Sequence, residues 1–216
     1  MKMKFIIIAN SLTISKEEIK DIVGEAKIIA LDGIANHLLN INIIPYAVVG
    51  DFDSIFAETL VNLKKLDVIL RRINDQNSTD LDKGISFCKQ NGATEIVIIN
   101  AFGGTRLDHS LMNYRLLKRH YSKQCRIKIK EQQSYLELFA NSTLIISGIP
   151  KSNLALLAAP LAATTSQGLE YDMDNHTLEF GLSESTSNSL KAEQATIKIV
   201  GSAYLIYELN CKIQTI

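Results

Sequence analysis

The chain has 216 residues, 46% of them hydrophobic, and 23 basic side chains balance 23 acidic ones. That length allows one domain or two with real cores, and the even charge leaves no global field to recruit nucleic acid or an anionic membrane. The apolar fraction and only three prolines argue against disorder.

Residues 1–10 have the basic-then-apolar order of a signal peptide, but the apolar run is short and β-branched and suits a buried first strand at 5–9. Helical and strand patterns then alternate. Helices are predicted at 16–23, 34–40, 55–63, 81–90 and 106–120, and strands at 27–31, 47–49, 68–70 and 95–100. Apolar strands separated by helices imply a mainly parallel sheet, with the strand-to-helix loops gathered at its carboxyl edge.

After about residue 122 the rhythm changes to short strands, at 126–130, 134–139, 143–146, 154–158, 177–180, 196–200 and 203–209. Asn-Ser, Ser-Gly, Asp-Asn and Gly-Ser pairs between them read as turns. The expected fold class is therefore α/β plus all-β: a mainly parallel α/β domain over 1–124, then a β-sandwich or flattened barrel over 125–216. No stretch approaches the roughly 20 apolar residues that span a bilayer. Cys88, Cys125 and Cys211 have no metal or redox spacing and read as buried fillers in a reducing compartment, so the expected location is cytoplasmic.

Four loops at the predicted carboxyl edge carry chemistry. They are Asp32-Gly33-Ile34-Ala35-Asn36, Gly50-Asp51-Phe52-Asp53-Ser54, Asp75-Gln76-Asn77-Ser78-Thr79-Asp80, and Phe102-Gly103-Gly104-Thr105-Arg106-Leu107-Asp108-His109. Each has a local explanation. Asp32-Gly33 alone is an ordinary turn, Thr79 with Asp82 and Thr105 with Asp108 are capping boxes, and Asp80 suits a helix N-terminus. Asp51-Phe52-Asp53 resists such a reading, because alternate residues send two carboxylates to one spot, where they repel unless a cation lies between them. Oxygen-only ligation by carboxylates and phosphates is what Mg²⁺ prefers. Gly103-Gly104 offers bare N–H groups to a phosphate, and Arg106 offers a bidentate guanidinium. Neither a Walker loop nor a dinucleotide Gly-x-Gly-x-x-Gly occurs, and the four histidines show no zinc grouping.

These loops, in this order, resemble the thiamine pyrophosphokinase family. Asp32-Gly33-Ile34-Ala35-Asn36 is similar to its Asp-Gly-Gly-Ala-Asn, and Gly50-Asp51-Phe52-Asp53-Ser54 to its Gly-Asp-Phe-Asp-Ser. Gln76 with Thr79-Asp80 resembles its Thr-Asp segment, and Gly103-Gly104 with Arg106-Leu107-Asp108-His109 its Gly-Gly-Arg-Leu-Asp-His. Gly168-Leu169-Glu170-Tyr171 and Ser185-Thr186-Ser187-Asn188 resemble two motifs of its second domain. Ile34 stands in place of a glycine, which would narrow backbone approach to a ligand, and Tyr171 in place of a tryptophan.

The resemblance implies transfer of diphosphate from ATP to the hydroxyl of thiamine, releasing AMP, by a homodimer with active sites between subunits. Asp51, Asp53 and Asp80 would hold Mg²⁺ on the ATP phosphates. Asp32, Gly33, Asn36, Gly103, Gly104 and Arg106 would contact ATP. Gln76, Asp80, Tyr171, Ser187 and Asn188 would contact the acceptor. Asp108 would orient or deprotonate the hydroxyl, or complete the metal shell. The rival readings are a pyrophosphokinase for another heterocyclic alcohol such as a pterin, a non-catalytic thiamine-binding protein, and a metal-dependent phosphohydrolase.

Overall fold

The computed structural model describes residues 3–11, 13–75, 77–103 and 106–216, and the chain divides into two compact units, Met1–Ile129 and Lys130–Ile216.

In the first unit β1 (Lys4–Ile8), α1 (Lys16–Val23), β2 (Lys27–Leu31), α2 (Ile34–Asn40), β3 (Ala47–Gly50), α3 (Ala57–Lys65), β4 (Ile69–Arg72), α4 (Asp80–Gln90), β5 (Glu95–Ile99) and α5 (Leu107–Arg119) follow in turn. The strands lie in the order β5-β1-β2-β3-β4 and all four neighbouring pairs are parallel. β6 (Arg126–Glu131) lies beside β5. Ile6, Ile8, Ala30, Val48 and Ile99 of the strands pack with Ile34, Leu38 and Leu63 of the helices in one buried cluster. The β-branched runs therefore become strands because both faces of the sheet are covered. Chain order runs outward from β1 to β4 and returns on the other side of β1 at β5. That reversal opens a crevice beyond the carboxyl ends of the strands, where ligands bind in such sheets.

Helix starts follow local chemistry. At α1 the Ser15 hydroxyl accepts from the Glu18 N–H and the Glu18 carboxylate accepts from the Ser15 N–H, a complete capping box. At α4 Thr79 accepts from the Asp82 N–H at 3.3 Å, but the reciprocal half is missing. The Asp82 carboxylate instead takes bonds from Arg119 and His120. The helix expected at 55–63 starts and ends two residues later, and the strand expected at 68–70 starts one residue and ends two residues later.

The second unit is an antiparallel β-sandwich built on three long strands, β7 (Ser134–Ser147), β8 (Asn153–Gln167) and β11 (Gln194–Glu208), with β9 (His176–Glu179), β10 (Ser185–Ser189) and β12 (Lys212–Thr215) on their flanks. The early part of β8 pairs with β10 and its later part with β9. The end of β7 pairs with both β11 and β12. Leu144, Ile146, Leu156, Ile197 and Leu205 fill the core between them. Two expected turns are corrected here. Asn141-Ser142 and Gly201-Ser202 interrupt no strand but form a bulge in the β7–β11 ladder, where the register shifts between Ile199 and Ser202. Asn141 (φ +45°) and Gly201 (φ +96°) take the left-handed backbone, and the Asn141 Oδ1 accepts the Gly201 N–H at 2.9 Å. Among the described residues no helix is long and apolar enough to cross a membrane.

Candidate active site

Three carboxylates meet at the carboxyl edge of the parallel sheet. Asp32 continues β2 by one residue, its N–H donating to the Val49 carbonyl at 3.0 Å. A side chain at Gly50, the last residue of β3, would bring a Cβ to 3.0 Å from the Asp32 Cβ, so only glycine lets the two strand ends lie this close. Asp51 follows. Phe52 takes φ +67° and packs against the apolar core, leaving Asp51 on the solvent side of the loop. Asp80 opens α4, which sits so near the sheet that a Cβ on Gly84 would lie 2.6 Å from the Leu31 Cδ2. Oxygens of Asp32, Asp51 and Asp80 consequently lie within 4.8 Å of one another.

This grouping differs from the sequence expectation in one member: Asp32 joins Asp51 and Asp80, while Asp53 lines the same cavity outside the trio. Asp32 is 3% exposed and its Oδ1 is buried with no hydrogen-bond partner among the described residues. Burial pushes its carboxyl above the usual carboxylate range against the opposing Ser54 hydroxyl, and the charges of Asp80 and Asp53 add to the rise. An orphaned carboxylate oxygen facing two further carboxylates is the donor set of a hard divalent cation, so these residues fit Mg²⁺.

The trio opens into a cavity of about 720 Å³, also lined by Asn10, Ser11, Ser78, Lys83, Gly103, Arg106, His109 and Asn113. Lys83 is 5% exposed, and its Nζ lies 3.0 Å from the Asp80 Oδ1. The Arg106 guanidinium grips Asp108 with both arms, Nε to Oδ1 at 2.9 Å and Nη2 to Oδ2 at 2.5 Å. It holds the Asp108 carboxyl well below the usual range, and that carboxylate does not line the cavity. Asp75 caps its own loop, accepting from the Ser78 hydroxyl at 2.6 Å and the Asn77 N–H at 2.9 Å. Gln76 and Gly104, expected at the acceptor and the phosphates, lie outside the described residues.

Two residues expected at the nucleotide serve the scaffold. The Asn36 Nδ2 donates to the Ser54 carbonyl at 2.9 Å and its Oδ1 accepts the Phe56 N–H at 3.0 Å, which pins the Asp51–Ser54 loop to α2. Gly33 admits that loop, since a Cβ there would meet the Ser54 Cβ at 2.9 Å. Ile34 is 3% exposed within the core, so it does not narrow the cavity. Lys83, Asn10 and Asn113 were not singled out in the sequence. The one signal for Lys83 was its spacing of three residues from Asp80 on a helix, a pattern shared by ordinary surface pairs.

In the second unit a cavity of about 350 Å³ is lined by Tyr171, Asp174, His176, Glu184, Ser185 and Asn188, among others. Asp172 ties the preceding loop together, accepting from the Leu169 and Gly168 N–H groups and the Ser166 hydroxyl. Burial would raise its carboxyl, but these bonds hold it below the usual range. Tyr171 is 68% exposed. Asn188, expected to touch substrate, lines this cavity, is 1% exposed and bonds the backbone of Tyr171 and Ser189 through its amide. Ser187 is exposed with φ +57°.

A carboxylate cluster that can hold a cation, beside a guanidinium and an ammonium at the switch point of a parallel sheet, is chemistry for handling phosphates. It places the protein among enzymes that act on phosphate groups. Comparison with known proteins narrows the class. Residues 20–129 match the family described as "Thiamin pyrophosphokinase, catalytic domain", and residues 145–203 match "Thiamin pyrophosphokinase, vitamin B1 binding domain". The chain is 31% identical to "Thiamine pyrophosphokinase 1" of Oryza sativa subsp. japonica over 182 residues, covering 78% of this chain and 67% of that protein. It is also 31% identical to "Thiamine pyrophosphokinase 1" of Arabidopsis thaliana, covering 71% and 61%. Thiamine pyrophosphokinase from Bacillus subtilis has the same fold, with a TM-score of 0.80 at 24% identity over 95% of this chain and 98% of that one. Thiamin pyrophosphokinase from Candida albicans gives 0.81 at 18% identity over 96% and 89%. The chain belongs to the thiamin pyrophosphokinase family.

Proposed function

We propose that this chain transfers diphosphate from ATP to the hydroxyl of thiamine, giving thiamine diphosphate and AMP, with Mg²⁺ as cofactor. The observation that carries the reading is the trio of Asp32, Asp51 and Asp80, with a buried oxygen that has no partner among the described residues, on a cavity of about 720 Å³. Mg²⁺ held there would neutralise phosphate charge and orient the chain of phosphates for in-line attack. Asp53, on the same cavity, supplies further negative charge toward the ion.

The remaining roles fall to protein groups. Arg106, held by Asp108 through Nε and Nη2, would grip phosphate oxygens with the guanidinium N–H groups that Asp108 does not take, while Gly103 lets the backbone approach them. Asp108 is then a positioning residue for Arg106, since a carboxyl held so far below the usual range is a poor proton acceptor. Tyr171 offers its exposed ring to the cationic and aromatic rings of thiamine, and Asn188 fixes the backbone that carries it. Leu107 and Leu111, 71% and 51% exposed on successive turns of α5, offer an apolar contact to a second copy, and the family resemblance adds active sites between the subunits of such a homodimer. The three cysteines are free and buried, as suits the cytoplasm. The even charge suits small-molecule partners, ATP and thiamine, over nucleic acid.

The test is AMP formation from ATP, measured with and without thiamine and Mg²⁺. AMP that appears only when both are present supports the reading. Phosphate release without an acceptor, or thiamine binding without AMP, refutes it, and a pterin alcohol in the acceptor panel separates the nearest rival.

A further inference from the structure

Lys83 lines the cavity with an ammonium that the reaction above does not use. It projects from the first turn of α4 with its side chain 4% exposed, and an ammonium so buried is unfavourable unless it is paired. Among the described residues its Nζ has one bonded partner, the Asp80 Oδ1 at 3.0 Å. An ammonium has three N–H donors, so two remain uncommitted on a group that lines the cavity. Its partner is also one of the three carboxylates crowded within 4.8 Å. Arg106, the other cation of that lining, is held by Asp108, so Lys83 alone of the two offsets the charge of the trio.

Resting on the metal reading above, we infer that Lys83 is a resident counter-ion that competes with the divalent cation for Asp80 and, once displaced, grips a phosphate oxygen of the nucleotide. Two positive charges on one carboxylate repel each other, whichever of its oxygens each one takes. A metal arriving alone therefore meets an ammonium already bound to Asp80, and moving that ammonium away is unfavourable while it has no other partner. A nucleotide arriving with the metal supplies a new anionic partner within the same cavity. The arrangement makes metal binding weak without nucleotide and strong with it, so the two enter as a unit.

The test is calorimetric titration of Mn²⁺ into full-length protein without nucleotide, for wild type, Lys83→Met and Lys83→Gln, with folding checked by circular dichroism. Both variants are expected to bind Mn²⁺ on the order of tenfold more tightly than wild type, the scale of one removed neighbouring charge. Their KM for ATP in the Mg²⁺-supported reaction should rise by a similar factor. Unchanged or weaker Mn²⁺ binding by a folded variant overturns the inference, and the glutamine variant decides if the methionine variant does not fold. Absence of Mn²⁺ binding in all three proteins would instead remove the metal reading, and this inference with it.

Discussion

Asn188 holds Tyr171 by both of its backbone polar groups: its Oδ1 accepts the Tyr171 N–H at 3.1 Å and its Nδ2 donates to the Tyr171 carbonyl at 2.8 Å. The loop that carries the exposed Tyr171 ring is thus held by a residue of β10. Asn188→Ala would strand these groups at a site that is 1% exposed, at a cost of about 1–3 kcal/mol. The expected result is a lower thermal midpoint and a raised KM for thiamine, with KM for ATP unaltered. An equal rise in both KM values would contradict the assignment.

Gly50 governs the approach of Asp51 to Asp32. The Cβ of an alanine there would press on the Asp32 Cβ at 3.0 Å and Cα at 3.3 Å, and such overpacking costs about 1–3 kcal/mol. Gly50→Ala should therefore weaken Mg²⁺ activation, read as a higher Mg²⁺ concentration for half-maximal turnover, as well as lowering stability.

Asp32 gives the metal-free protein a signed pH dependence. Its carboxyl is raised in the folded state, chiefly by burial. The stability this contributes is fully present below the ordinary carboxylate range and is lost as pH rises through the raised value. Relative to Asp32→Asn, metal-free wild type should lose thermal stability across that window on going to neutral pH. Mg²⁺ should then raise the midpoint of wild type and leave the variant unmoved. Thermal melts from pH 4 to pH 8, with and without Mg²⁺, check both statements.

Asp108 has the opposite sign. Arg106 depresses its carboxyl, so it stays ionised throughout a normal assay range, and both partners are well exposed to screening solvent. Asp108→Asn should lower kcat by releasing Arg106 from its orientation. It should leave the acid limb of the pH–rate profile in place and stability nearly unchanged. Loss of that limb in the variant would mark Asp108 as the proton acceptor.

Most of the first unit was legible because its strands are apolar on both faces and its helices carry amphipathic stripes and caps. The second unit was less so. Asn141 and Gly201 suit a bulge as well as a turn, since both need the left-handed backbone, and this split two long strands into four short ones. β10, Ser-Thr-Ser-Asn-Ser, has no apolar alternation to show that it is a strand. In the site, Asp51 and Asp80 could be read locally as acids at a sheet edge. The place of Asp32 could not, because it depends on β2 and β3 being neighbours, with Leu31 beside Val49. The loop-pinning bonds of Asn36 and Asn188 were not legible either, because an asparagine that pins a loop and one that binds a substrate are the same residue in sequence.

The proposed reaction needs the carboxylate trio to work through a divalent cation on ATP. Its most direct test is Mg²⁺-dependent AMP formation from ATP and thiamine by wild type and Asp51→Asn, with folding of the variant checked by its melt. The expected result is thiamine-dependent turnover in wild type and a fall of about 10²–10³-fold in a folded Asp51→Asn. Near-normal turnover in that variant, or wild-type turnover indifferent to Mg²⁺, would contradict it.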